Sequence, residues 1–331
     1  MSIRVGTSGW NYPTGNGTWN GVFYPARRPR GFDELRYYAE HFDIVEVNST
    51  FYRMPDPGLV GKWIGRTPAD FQFAIKLFQK FTHPDMYLAR AGVKDWSLSL
   101  GDVDAFRAGV APLVDAGRMA ALLVQFPSSF HADEPMREYL SWVLEAFADY
   151  PLAVELRHRS WFAPGAETSA RLASGRAGLV MADSPETGAE RGTGVFSTEI
   201  ALLGTGLDTG SQSRPVPKTA ISVENTPVPL YVRMHGRNAD AWWNHEKAED
   251  RYNYLYSPAE LQPFAAAATE AAQAGRKVMA FMNNHFSAKA VANAAVLKSQ
   301  LGQTVPGLYE REMVNRYPDL EGIVTTSGLP L

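Results

Sequence analysis

Eight short runs rich in apolar residues recur along the chain, each separated from the next by a longer amphipathic stretch. They are IRVGT (3–7), DIVEVN (43–48), FQFAIK (71–76), MAALLVQF (119–126), LAVELR (152–157), GLVMAD (178–183), LYVRMHG (230–236) and VMAFMNN (278–284). In most of them the apolar residues follow one another instead of alternating, the pattern of strands buried on both faces. Such strands belong to a parallel sheet covered by helices, and at eight such a sheet closes on itself as a (β/α)8 barrel of the TIM type. An open doubly wound sheet with the same strand count is the competing architecture.

The stretches between the runs read as helices. Leu35, Tyr38, Ala39 and Phe42 share one helical face, as do Met136, Tyr139, Leu140, Val143, Leu144 and Phe147. The seventh stretch is the clearest: Ser257 caps, Pro258 suits the first helical position, Glu260 completes a capping box and Gly275 follows the last turn. At 331 residues, 45% of them hydrophobic, the chain is long enough to form one barrel over its whole length, 1–331. Two segments fall outside the repeat. Residues 184–227, rich in Gly, Ser, Thr and Pro, read as a loop insertion between the sixth and seventh strands, and 302–331 as a C-terminal tail with room for a short helix.

Nearly every run ends in polar residues, and in a barrel these ends converge on one mouth, where barrel enzymes keep their chemistry. Glu46 sits inside a short β-branched run, and Asn48 closes it. The others end in Lys76, in Gln125, in Glu155 with Arg157 and His158, in Asp183, in Arg233 with His235, and in Asn283. A carboxylate inside an apolar strand needs neutralising partners, so Glu46 reads as an inward site residue. Glu46, Glu155, Lys76 and His235 are the catalytic candidates. Asn48, Gln125, Arg157, His158, Trp161, Asp183, Arg233 and Asn283 are the substrate-binding candidates. Arginine clamps phosphate or carboxylate bidentately and lysine acts as a point charge, so a small anionic or polar substrate is implied. The competing account is a structural ion-pair network of Glu46, Glu155, Arg157 and Arg233 inside the barrel.

Glu155, Asp183, His158 and His235 are also residue types that divalent metals accept, but no HxH or HxxxE spacing groups them, so a metal is allowed and not favoured, and the cofactor stays unknown. Aromatic residues crowd the segments after the strands. Packing on the rim accounts for most of them, while Trp161 and the pair Trp242 and Trp243 are read as stacking on a base or sugar face. No P-loop, dinucleotide fingerprint, nucleophile elbow or zinc-finger pattern is present. A net charge of -3 supplies no general field for nucleic acid, which is therefore not the favoured partner. The absence of cysteine, of a leader pattern after Met1 and of any apolar run of membrane-spanning length points to a cytoplasmic protein without a membrane partner.

The blocks IRVGTSGWNYP, GVFYP, YYAEHFDIVEVNSTFYRMP, FQFAIKLFQKFTH, LLVQFPSSF, AVELRHRSWF, LYVRMHG, YNYLYSPAEL and FMNNH resemble the successive signatures of the domain of unknown function 72 family, also called YecE-like. The resemblance spans nearly the whole chain and implies a TIM-type barrel, with Glu46, Asn48, Lys76, Gln125, Glu155, Arg157, His158, Trp161, Arg233, His235 and Asn283 at motif positions. It supplies no reaction. The leading expectation is an enzyme with hydrolase or isomerase-like acid/base chemistry on a phosphorylated sugar-like or nucleotide-like substrate. A nucleic-acid-binding or repair-associated protein and a non-catalytic small-molecule-binding barrel are the alternatives.

Overall fold

The computed structural model describes residues 2–92, 97–163, 165, 167–185, 229–243 and 247–327. Eight parallel strands close into a barrel in sequence order: β1 (Ile3–Ser8), β2 (Ile44–Val47), β3 (Gln72–Lys76), β4 (Met119–Gln125), β5 (Leu152–Glu155), β6 (Ala177–Asp183), β7 (Leu230–Met234) and β8 (Val278–Met282). Closure is made by β8 on β1, with Ile3 opposite Val278 and Thr7 opposite Met282. All eight expected strands form, and the barrel, not the open sheet, is the fold. Of the expected insertion at 184–227, all but Ser184 and Pro185 lies outside the described residues.

Two packed layers follow from period-two alternation along each strand. The outward side chains of the strands meet the inner faces of surrounding helices such as Leu100–Asp115, Glu134–Ala146, Pro258–Gln273 and Lys289–Gln300. The inward side chains make a smaller apolar plug, in which Ala74, Ala121 and Ala153 share one cluster with the bulky Tyr231, Met279 and Phe281. Small residues on one arc of the ring leave room for large ones on the other. Gly6 belongs to the same economy, because a Cβ there would lie 2.2 Å from the Ile44 carbonyl oxygen of the neighbouring strand.

The helix expected after Ser257 runs Pro258–Gln273, with the Ser257 and Glu260 capping box formed and Gly275 in the left-handed region at φ +79°. The tail folds as well. Leu308–Tyr309 pairs with Thr325–Thr326 in a two-stranded sheet, and a helix spans Arg311–Arg316 between them.

Candidate active site

The alternation that builds the apolar plug carries upward into a polar layer. On β2 the inward position after Ile44 is Glu46; on β3 Lys76 follows Ala74; on β4 Gln125 follows Leu123; on β5 Glu155 follows Ala153; on β7 Arg233 follows Tyr231. All of these stand at or near the C-terminal strand ends, directly above the plug.

Arg233 organises the layer. Its Nη2 and Nε donate to the two oxygens of Glu46 at 2.7 and 2.9 Å, a bidentate pair across the barrel. Its Nη1 donates to Glu155 Oε2 at 2.5 Å and to Gln125 Oε1 at 3.3 Å. Tyr231, one inward step below, donates its hydroxyl to Glu46 Oε2 at 2.7 Å. Glu155 receives a further bond from Arg157 Nε at 2.8 Å on its other oxygen, Oε1. Glu46, Glu155 and Arg233 are 0%, 1% and 2% exposed, whereas the Arg157 side chain keeps 20% of its surface. The ion-pair network weighed from the sequence is therefore present as an arrangement of charges, and it forms the floor of the mouth.

Burial on its own would push both carboxyls up. The adjoining Arg233 guanidinium and the Tyr231 hydroxyl outweigh it and hold Glu46 below its ordinary value. Arg233 and Arg157 hold Glu155 well below the carboxylate range against the same burial. Both carboxylates are thus ionised at neutral pH, and burial of Arg233 does not strip its proton.

Lys76 is different. Its Nζ bonds Gln125 Oε1 at 2.8 Å and lies 4.1 Å from the centre of the Phe51 ring. Burial first, then the neighbouring Arg233, bring its pKa down to about 7. His83, whose ring meets Phe51 edge-on at 4.9 Å, is lowered to about 3 by burial and by the positive charge of Lys76 and Arg157. His235 is held neutral by burial and by Arg233. Asn283 Nδ2 stands 2.7 Å from its Nδ1, so with the amide as donor the ring proton is on Nε2, 3.7 Å from Glu155 Oε1 and too far for a hydrogen bond.

The remaining candidates are placed elsewhere. Asp183, one step out of inward register with Val180 and Ala182, accepts from Arg237 Nε at 2.9 Å and Tyr256 Oη at 2.7 Å and ties down the segment after β7. His158 caps its own turn through Ser160 and stacks on His131 at 3.8 Å. Trp161 is buried against Phe130, with its Nε1 donating to the Phe130 carbonyl, and Trp242 is buried edge-on to His235, so neither ring lies open for stacking. The side chain of Trp243 is outside the described residues. Asn48 stands at the end of β2 with its Oδ1 buried. Among the described residues no three His, Cys, Asp or Glu side chains are grouped to hold a metal ion, and no helix is long and apolar enough to cross a membrane.

Sequence reasoning passed over Tyr231 and His83. Tyr231 was reachable, since it lies two residues before Arg233 on the same face. Nothing local marks His83, which reaches the mouth only through the turn after β3. Nor was the rim beside β1 and β8 foreseen, where Tyr12 stacks on His285 at 4.3 Å and His285 meets Tyr252 at 4.9 Å.

Eight parallel strands around a filled core, with ionisable residues collected at the C-terminal mouth, define a TIM-type α/β barrel protein. The chain belongs to the family described as protein of unknown function DUF72, whose model matches residues 4–316. It is 26% identical to YunF of Bacillus subtilis over 317 residues, 94% of this chain and 99% of that one. To YecE of Escherichia coli K12 it is 29% identical over 165 residues, 50% of this chain and 52% of YecE. A solved DUF72 family protein from Thermotoga maritima superposes with a TM-score of 0.66 at 29% identity, covering 91% of this chain and 99% of its own. One from Enterococcus faecalis gives 0.66 at 23% identity over 91% and 95% of the two chains, a likeness of fold. The family suggested by the signature blocks is the family found.

Proposed function

We propose that the protein is an enzyme whose site is the barrel mouth, performing hydrolase or isomerase-like acid/base chemistry on a small sugar-like or nucleotide-like substrate with an anionic group. One observation carries this reading. Ser8 Oγ, Asn48 Oδ1, His235 Nε2 and His285 Nδ1 are all buried without a hydrogen-bond partner, and they stand at or just beyond the C-terminal ends of β1, β2, β7 and β8. Folded proteins rarely leave buried polar atoms unpaired, so a group of them at the functional end of a barrel supports a polar site there.

Roles follow from position. Both oxygens of Glu46 are taken by Arg233, so Glu46 supports the site and does not carry protons. Arg157, partly exposed beside Glu155, meets the anionic group. Lys76, with its pKa near neutrality, presents a partly deprotonated amine at the mouth, and with Asn283 donating to Nδ1 His235 keeps its proton on Nε2. The test is a thermal-shift screen of sugar phosphates and nucleotides against their neutral parents. At least one phosphorylated compound raises the melting temperature of the wild type, and Arg157→Ala loses most of that shift. Equal stabilisation by neutral parents, or no stabilisation by any compound, would remove the anionic-substrate reading.

A further inference from the structure

We infer that Lys76 is a nucleophile, and that the mouth accepts an anionic aldehyde or ketone whose carbonyl carbon the Lys76 amine attacks. The inference rests on the mouth being the active site and adds the substrate's reacting group and a covalent step.

The geometry around Nζ is unusual for a lysine in a polar cluster. Its hydrogen bond goes to the neutral amide oxygen of Gln125, 2.8 Å away. Among the described residues no carboxylate lies within 4.0 Å of it, although Glu46 and Glu155 belong to the same layer. Those two carboxylates are turned to Arg233 and Arg157. The groups that face Lys76 are thus Arg233 from β7, Glu155 from β5 and Arg157 from the segment after it, Glu46 from β2, Gln125 from β4, His83 from the segment after β3, and the face of Phe51. Glu46 and Glu155 are already bonded to guanidiniums, so among the described residues an ammonium at Nζ has no direct carboxylate partner. Burial and Arg233 accordingly bring the group down to about 7, which favours the free amine. A desolvated lysine beside other cations is the activated form of an amine nucleophile.

The step balances without a further reagent. The Nζ lone pair forms a C–N bond to the carbonyl carbon while the carbonyl oxygen takes one amine proton, giving a carbinolamine. Loss of that hydroxyl with the second amine proton as water leaves the imine. Arg157, at the edge of the layer, would meet the substrate's phosphate or carboxylate.

The experiment uses the whole chain at pH 7 with sodium cyanoborohydride and two probes, glyoxylate as a small anionic aldehyde and formaldehyde as a neutral one, followed by peptide mapping of every lysine. Lys76 is expected to be modified by both at least about tenfold faster than the exposed Lys62 and Lys277, because burial and Arg233 lower its pKa and raise its share of free amine. Arg157→Ala, which also removes one of the cations that lower Lys76, should slow the glyoxylate reaction at Lys76 severalfold more than the formaldehyde reaction. If Lys76 reacts no faster than the surface lysines with either probe, the covalent step is wrong. The thermal-shift screen reads anion binding separately, so the two readings can fail independently. Fast reaction with formaldehyde but not glyoxylate would overturn the anionic class of the carbonyl substrate.

Discussion

At the scale of single residues, the mouth is legible in part through parity. Glu46, Glu155 and Arg233 could be placed inward from their runs, because each is two residues from an apolar position of the plug. The same rule sets Asp183 and His158 out of register with Ala182 and Arg157, and both indeed bond outside the layer. What no local pattern encodes is the pairing across the ring, where Arg233 takes one carboxylate from β2 and another from β5. Lys76 gives this layer a pH signature. Its folded pKa of about 7 lies below the ordinary 10.5, so between those values the unfolded chain binds the extra proton and stability rises with pH. Below about 7 the whole penalty is present. Lys76→Met is therefore expected to stabilise the protein at pH 6, on the order of 1–3 kcal/mol, with the gain fading toward pH 10. Urea unfolding at the two pH values decides, and a difference that stays constant with pH would show that Lys76 is not depressed in the folded state.

At the scale of elements, strand existence was readable from apolar runs and helix termini from caps, because both signals are local. Boundaries drifted by a residue or two where polar strand ends continue into loops, as in LAVELR, whose strand stops at Glu155. The tail was harder, since Leu308–Tyr309 and Thr325–Thr326 are two-residue strands defined by each other and not by any run. Two substitutions separate local from neighbour-dependent stabilisation. Ser257→Ala removes the side chain that accepts from Glu260 N and should cost about 1 kcal/mol. Gly6→Ala sets a methyl against the Ile44 carbonyl, 2.2 Å from its oxygen, and β1 cannot retreat because β8 holds its other edge. It should cost clearly more than the cap, on the order of 3 kcal/mol or above. The ranking is read from paired denaturation curves, and an equal or smaller loss for Gly6→Ala would mean that the β1–β2 approach is slack.

At the scale of the whole molecule, the segment after the last barrel helix is part of the fold and not an appendage. Tyr309, Met313, Tyr317 and Leu320 are buried in the same apolar layer as the barrel helices. The Leu308 carbonyl accepts from the Tyr37 hydroxyl at 3.0 Å and lies 3.1 Å from His41 Nε2, which fixes the tail to the helix between β1 and β2. At its other end the Tyr317 hydroxyl donates to the Ser287 carbonyl and Arg316 Nη1 to Ser287 Oγ at 3.1 Å, on the segment that leaves β8. The tail thus bridges the first and last βα units, the two that meet where the barrel closes. Burying four large apolar side chains is worth roughly 6–12 kcal/mol in transfer terms, as much as the net stability of a typical domain. Deleting residues 305–331 should therefore abolish cooperative folding, leaving a chain that binds apolar dye and has no sharp thermal transition. A truncated protein that melts cooperatively within a few degrees of the full chain would show that the eight strands and their helices suffice, and that the tail only covers a surface already closed.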